Sequence, residues 1–216
     1  MGLADDYRGV LFDMDGVLLD TMGAHVEAWL AAGAELGLDI DELEVYRREG
    51  EKGEVSARDF IKAAGLMTTR ARVRALLEAK EQCFGRIAHS PKLFPRAEQA
   101  LAACRDAGLK VGLVTGTSRP EWENIFPPEL RVYLDTSVTG DEVLRGKPSP
   151  EPFMNAARAL GLQPRQCVAV ENAPYGIKSA QSAGCHVVGV RSYLSDEDLG
   201  QAAVLIDDLT EFISLL

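Results

Sequence analysis

Short apolar runs punctuate the chain, and most of them stop abruptly at a polar residue. Val10-Leu11-Phe12 stops at Asp13, the run over 109–114 stops at Thr115, and the run over 167–170 stops at Glu171. Shorter segments cover 136–139, where Val138 is the apolar residue, 187–190 and 204–206. Short, mostly apolar stretches of this length predict buried strands. Between them the apolar positions recur at three- and four-residue steps, which predicts helices over 95–107, from 119, from about 152, over 174–183 and at the C-terminus. Strands alternating with helices predict a parallel, doubly wound α/β sheet. Residues 21–88 interrupt that alternation. Their spacing predicts helices over 22–38, 41–48, 53–64 and 68–87 with no strand between them, Thr21 capping the first and Gly37 ending it. The expected organisation is an α/β core from 1–20 and 89–216, with an all-helical cap over 21–88 inserted after the first strand.

The polar residues at the strand ends carry the candidate chemistry. In open α/β sheets ligands bind beyond the carboxyl ends of the strands. Asp13 and Asp15 follow the first strand, and Gly16 allows the chain to turn sharply there. Carboxylates at the tip of a buried strand are costly unless paired or metal-bound, so the pair suits a hard cation or a carboxylate nucleophile; aspartates capping a turn are the plainer alternative. Thr115, Gly116 and Thr117 follow the second long strand, where hydroxyl and backbone N–H groups either donate to an anion or cap the next helix. Lys147 precedes Pro148 and Pro150, which hold the loop extended. That lysine is poised to neutralise an anion, unless it is simply solvated. Glu171 and Asn172 end a further strand with oxygen donors that suit Mg2+. In the cap, His25 lies one turn into the first helix. Lys52 stands between Gly50 and Gly53, which let a ligand approach, and Lys80 lies on the last cap helix.

Charge narrows the class. The chain of 216 residues carries a formal net charge of −10, which excludes a general nucleic-acid binder and means that an anionic substrate needs a local cation. No apolar stretch is long enough to span a bilayer. The N-terminus lacks the basic-then-apolar pattern of a signal peptide, and the four cysteines are widely spaced without a CxxC pair. A reduced, cytoplasmic protein is expected, and a monomer, since no heptad seam is present.

Taken in order, DMDG at 13–16, LVTGTS at 113–118, GKPSPEPF at 146–153 and ENAPYGI at 171–177 resemble the four motifs of the haloacid dehalogenase-like superfamily, within its β-phosphoglucomutase/phosphatase-like branch with a helical C1-type cap. The resemblance covers 8 to about 190 and is least specific in the cap. It departs from the usual pattern at Asn172, where the family more often has a second acidic residue. It implies a Mg2+-dependent phosphatase that acts on a small phosphorylated metabolite. Asp13 is the implied nucleophile, Asp15 the acid–base, Thr115 and Lys147 the further catalytic groups. Asp13, the Asp15 backbone carbonyl, Glu171 and Asn172 are the implied metal ligands. His25, Lys52, Lys80, Gly116 and Thr117 are the implied substrate contacts. A β-phosphoglucomutase-like phosphomutase is the alternative. A receiver-type signalling domain is a remote one, because receivers lack the helical insert and the DxDG turn.

Overall fold

The computed structural model describes residues 2–87 and 92–216. In chain order the elements are α1 (Leu3–Asp6), β1 (Gly9–Phe12), β2 (Leu19–Asp20), α2 (Met22–Glu35), α3 (Glu42–Arg47), α4 (Gly53–Ala63), α5 (Arg70–Ile87) and β3 (Lys92–Leu93). Then come α6 (Ala97–Asp106), β4 (Lys110–Val114), α7 (Arg119–Ile125), β5 (Thr136–Val138), α8 (Glu151–Ala159) and β6 (Cys167–Glu171). The chain finishes with α9 (Pro174–Ala183), β7 (His186–Val190), α10 (Asp196–Leu199), β8 (Val204–Ile206) and α11 (Leu209–Leu215).

Six strands form one sheet in the order β5-β4-β1-β6-β7-β8, and every pairing in it is parallel. The expected doubly wound sheet is therefore present. β1 is central and wholly buried, and its side chains alternate between two cores. Val10 and Phe12 join one with Leu113, Val170 and Phe212, while Leu11 joins the other with Val114, Ala169 and Phe153. Burying each such large apolar side chain contributes roughly 1.5–3 kcal/mol. This fixes where β1 ends and hence where Asp13 stands.

The apolar run Val17-Leu18-Leu19 lies outside the main sheet. Leu19 and Asp20 pair antiparallel with Leu93 and Lys92, a two-stranded ribbon at the neck of the cap. The stretch 124–134, which Pro127-Pro128 marks in the sequence as irregular, instead finishes α7 at Ile125 and then makes a 3-10 turn over Pro128–Tyr133, because the proline supplies a fixed φ without needing an N–H partner.

Helices α2 to α5 bury their own cluster, with Val26, Trp29, Leu38, Val45, Phe60 and Leu76 at its centre. Trp29 meets Phe60 edge to face at 5.2 Å. The expected cap thus has a core of its own. The expected boundary at 88/89 lies outside the described residues.

Candidate active site

The strand register decides which residues meet. Phe12 is level with Val170 of β6 and with Leu113 of β4, so Asp13 emerges beside Glu171 and close to Thr115. The Asp13 N–H donates to Val170 O at 2.9 Å. Asp13, Asp15, Thr115, Lys147, Glu171 and Asn172 are all buried. Six residues spread over 160 positions of sequence form one cluster at the carboxyl edge of the sheet.

Lys147 holds the centre. Its Nζ donates to Asp13 Oδ1 and stands 2.6 Å from Glu171 Oε1. Burial pushes this ammonium towards neutrality, but Asp13 and Glu171 outweigh it and raise its pKa, so it stays protonated. Burial in turn pushes the Asp13 carboxyl well up. Lys147 opposes the push, and the charges of Glu171 and Asp15 add to it. The cluster is over-supplied with negative charge.

Asp15 has a different environment. Thr21 Oγ1 donates to its Oδ1 at 2.5 Å, and Thr115 Oγ1 and Thr117 Oγ1 both donate to its Oδ2 at 3.2 Å. His25 Nε2 lies 3.5 Å from Oδ1, its ring stacked on Phe84 at 4.2 Å between centroids. Burial pushes the Asp15 carboxyl up, but His25, Thr21 and Thr117 outweigh burial and hold it below the ordinary value. Thr21 stands at the helix cap position expected of it, yet it makes no capping bond; its hydroxyl goes to Asp15 instead. Thr115, the implied catalytic group, and Thr117, the implied substrate contact, both give their hydroxyls to Asp15.

The donors suit a hard cation. Asp13 Oδ2 and Asn172 Oδ1 are buried without a hydrogen-bond partner, and a buried unpaired acceptor costs about 1–3 kcal/mol. Asn172 Oδ1 and the Asp13 carboxylate are oxygen donors, as Mg2+ requires, and a dication would also offset the excess negative charge. Glu171 is less free, since its Oε2 accepts from the Asn172 N–H at 3.1 Å and its Oε1 faces Lys147.

Between cap and core lies a cleft of about 290 Å3, lined by Asp15, Gly116 and Thr117 from below and by His25, Trp29, Glu49, Lys52, Phe60 and Lys80 from the cap. Lys52 does not offer its charge to this cleft. Its Nζ donates to Val143 O at 2.5 Å and to Leu144 O at 3.1 Å, clasping cap to core. Lys80 Nζ sits over the Phe84 ring at 4.5 Å from the centroid. The residue that sequence reasoning missed is Glu49. It is half-buried in the cleft, and burial followed by the charges of Asp15 and Asp13 pushes its carboxyl well up. The signal available in the sequence was its neighbour Gly50, the residue that lets this corner reach the core.

Comparison with known proteins identifies the family. A family model described as haloacid dehalogenase-like hydrolase matches residues 7–184. Hexitol phosphatase A of Escherichia coli is 30% identical over 204 residues, 94% of this chain and 92% of that protein. Fructose-1-phosphate phosphatase YqaB of E. coli is 31% identical over 187 residues, 86% of this chain and 97% of that protein. A solved structure of β-phosphoglucomutase from Clostridium difficile has the same fold, with a TM-score of 0.81 at 22% identity, covering 95% of this chain and 92% of that one.

Proposed function

The chain belongs to the haloacid dehalogenase-like hydrolases, and on that premise we propose that it hydrolyses a small phosphoric monoester through a phospho-aspartate on Asp13. The observation that carries this reading is the division of labour between two buried aspartates. Asp13 is fixed by Lys147 through Oδ1 and keeps Oδ2 without a partner, which is the lone pair a nucleophile needs. Asp15 lines the cleft and is held by three hydroxyls and His25.

In the first half-reaction Asp13 Oδ2 attacks phosphorus, and the P–O bond to the leaving group breaks as the acyl phosphate forms. A phosphoryl dianion beside Asp15 pushes its pKa up, so Asp15 carries the proton that the leaving alkoxide takes. In the second half-reaction Asp15, again a carboxylate, removes a proton from the water that attacks the phospho-aspartate. Phosphate leaves and Asp13 is restored. Lys147 offsets the charge that gathers between nucleophile and phosphoryl group. Asp13, the Asp15 carbonyl, Glu171 and Asn172 would hold Mg2+, which supplies further charge neutralisation at the phosphoryl oxygens. The cap excludes bulk water until the substrate is seated.

The phosphomutase alternative is weaker. A mutase holds a second phosphate while it transfers the first, and that requires a free cation in the cap. Lys52 is occupied by two carbonyls, and Arg48 is occupied by Glu51 at 3.0 Å and Asp59 at 2.8 Å, which leaves Lys80, over the Phe84 ring, as the one described lysine or arginine of the cleft that could meet a second phosphate. The names of the two E. coli relatives point the same way, to hydrolysis of phosphorylated sugars and polyols. The test is phosphate release from a panel of sugar and polyol phosphates, with rapid quenching and peptide mapping of the trapped phosphoryl group. An adduct on Asp13 with stoichiometric free phosphate is the expected result. Interconversion of glucose 1-phosphate and glucose 6-phosphate with little phosphate released would replace the reading with a mutase.

A further inference from the structure

Tyr193 lies on the loop that follows β7, beyond the residues 7–184 that the family model matches. The reaction just described makes no use of it. Its side chain nevertheless touches the turn that carries Asp15 at both ends. At the near end the ring lies against Gly16, the residue after Asp15: a Cβ on Gly16 would come within 3.2 Å of Tyr193 Cε2. The neighbouring Ser192 completes that contact, its Oγ donating to Gly16 O at 2.5 Å. At the far end the Tyr193 phenol donates to Asp20 Oδ1 at 2.5 Å. Asp20 is joined to Thr21, whose hydroxyl holds Asp15 Oδ1 at 2.5 Å.

Between those ends the turn folds back on itself, with the Gly16 N–H donating to Leu19 O at 2.7 Å. Gly16 takes a φ of +89°, and glycine has little steric preference of its own, so outside contacts set the shape the turn keeps. The loop that carries Tyr193 is anchored to supply them. Arg191 at its start pairs with Asp196 at 2.5 Å and with Asp207 at 2.9 Å, and Leu194 is buried. The Tyr193 ring is also held from the cap side. It stacks on Tyr46 of α3 at 5.2 Å and meets Phe94 edge to face at 5.9 Å between centroids. Burial, followed by the bond to Asp20, pushes the phenol above its ordinary value, so it stays a donor at neutral pH.

Resting on the hydrolase reading, we infer that Tyr193 is a positioning residue for the acid–base Asp15. It clamps the turn at Gly16 and at Asp20, and through Thr21 it fixes where the Asp15 carboxyl points. Tyr193 itself touches no reacting atom, so its loss acts on proton delivery to the leaving group rather than on binding. A misplacement of about 1 Å can cost 10²-fold in rate, and loosening one of the two clamps costs part of that.

The experiment measures kcat and KM for the full chain and for Tyr193→Phe, Tyr193→Leu, Asp20→Ala and the double variant Tyr193→Phe with Asp20→Ala. The substrates are p-nitrophenyl phosphate and the best turned over of glycerol 3-phosphate, sorbitol 6-phosphate and fructose 1-phosphate. An alkoxide leaving group needs the Asp15 proton, and p-nitrophenolate does not. Tyr193→Phe is expected to lower kcat/KM for the alkyl phosphate about tenfold, with KM within threefold, and to leave p-nitrophenyl phosphate within threefold. Asp20→Ala should match it, and the double variant should lose no more, because two changes that break one bond do not add. Tyr193→Leu, which also removes the ring from Gly16, should lose about a hundredfold on the alkyl phosphate. Equal losses on the two kinds of substrate, unchanged turnover of the alkyl phosphate in Tyr193→Phe, or full additivity in the double variant would each overturn the assignment. Tyr193→Phe keeps the packed ring and Asp20 is exposed, so these outcomes stand even if Tyr193→Leu fails to fold. Absence of phosphate release from every substrate by the unaltered protein would instead refute the hydrolase reading on which the assignment rests.

Discussion

The α-carbon of Gly50 in the cap lies against the side chain of Lys147 in the core, so close that an added Cβ would sit 2.9 Å from Nζ and 3.1 Å from Cε. The residue that touches both acidic partners of the catalytic cluster is thus roofed by cap backbone. Gly50→Ala would insert a methyl group into that contact at a φ of +74°, where an L-residue costs roughly 1–2 kcal/mol. We expect kcat/KM to fall about tenfold or more from imperfect seating of the cap, with only a small change in melting temperature. Steady-state kinetics beside calorimetry checks this, and unchanged kinetics would mean that the contact is dispensable.

Lys147→Ala removes the only described cation in contact with Asp13 and Glu171. Loss of a transition-state electrostatic contact of this kind typically costs about 10²-fold or more in rate. Leaving two buried carboxylates without their partner should also destabilise the fold by about 3–5 kcal/mol. Added Mg2+ should restore part of the lost melting temperature if the Asp13 carboxylate and Asn172 Oδ1 belong to a cation site. Thermal melts with and without Mg2+ decide the point.

Asp13→Asn should abolish turnover while the protein remains folded, because the amide keeps the shape of the carboxylate without its nucleophilic charge. Asp15→Asn should slow leaving-group departure most for poor leaving groups and least for p-nitrophenyl phosphate, whose phenolate needs no proton. Equal losses on both kinds of substrate would argue against Asp15 as the acid.

Thorough chelation should silence phosphate release, and Mg2+ should recover it. The expectation rests on the acidic cluster around Asp13, where one lysine faces Asp13 and Glu171 together and a phosphoryl dianion would add further negative charge. Full activity in the presence of a strong chelator would refute it.

The buried thiols give a pH-dependent test remote from the site. Burial pushes Cys104 and Cys185 from the ordinary value of 9.0 up to about 12. The folded state therefore holds these protons more tightly than the unfolded state. Their contribution to stability is fully present below pH 9 and is lost as pH rises towards 12. Native protein should resist alkylation at pH 8, where only about one thiol in ten thousand is ionised at these sites. Rapid modification of Cys104 in folded protein would contradict the burial assigned to it.

Much of the catalytic cluster was legible in the sequence because buried strands advertise themselves. A continuous apolar run cannot end in a charge without a reason, and Asp13, Thr115 and Glu171 each mark such an end. The parallel sheet follows from alternation of strands and helices, and the sheet brings its carboxyl ends together. Lys147 was legible for a related reason, since two prolines around it hold its loop stiff.

Side-chain direction was not legible. Lys52 and Glu49 are three residues apart on the same turn, and the sequence favoured the lysine because a phosphate calls for a cation. Both line the cleft, and the fold commits the Lys52 ammonium to the carbonyls of Val143 and Leu144. Thr21 reads locally as a helix cap, and only the return of the chain past Asp15 gives its hydroxyl a better acceptor. By itself the sequence determined the strands, their order of function and the residues at their tips, because local apolar patterning and chain connectivity suffice for those. The tertiary structure alone decided which carboxylates face Lys147, which hydroxyls hold Asp15 and which side of the cap meets the leaving group. Apart from Thr21, six positions from Asp15, those outcomes depend on contacts between residues 24 to 134 positions apart, and local pattern does not encode them.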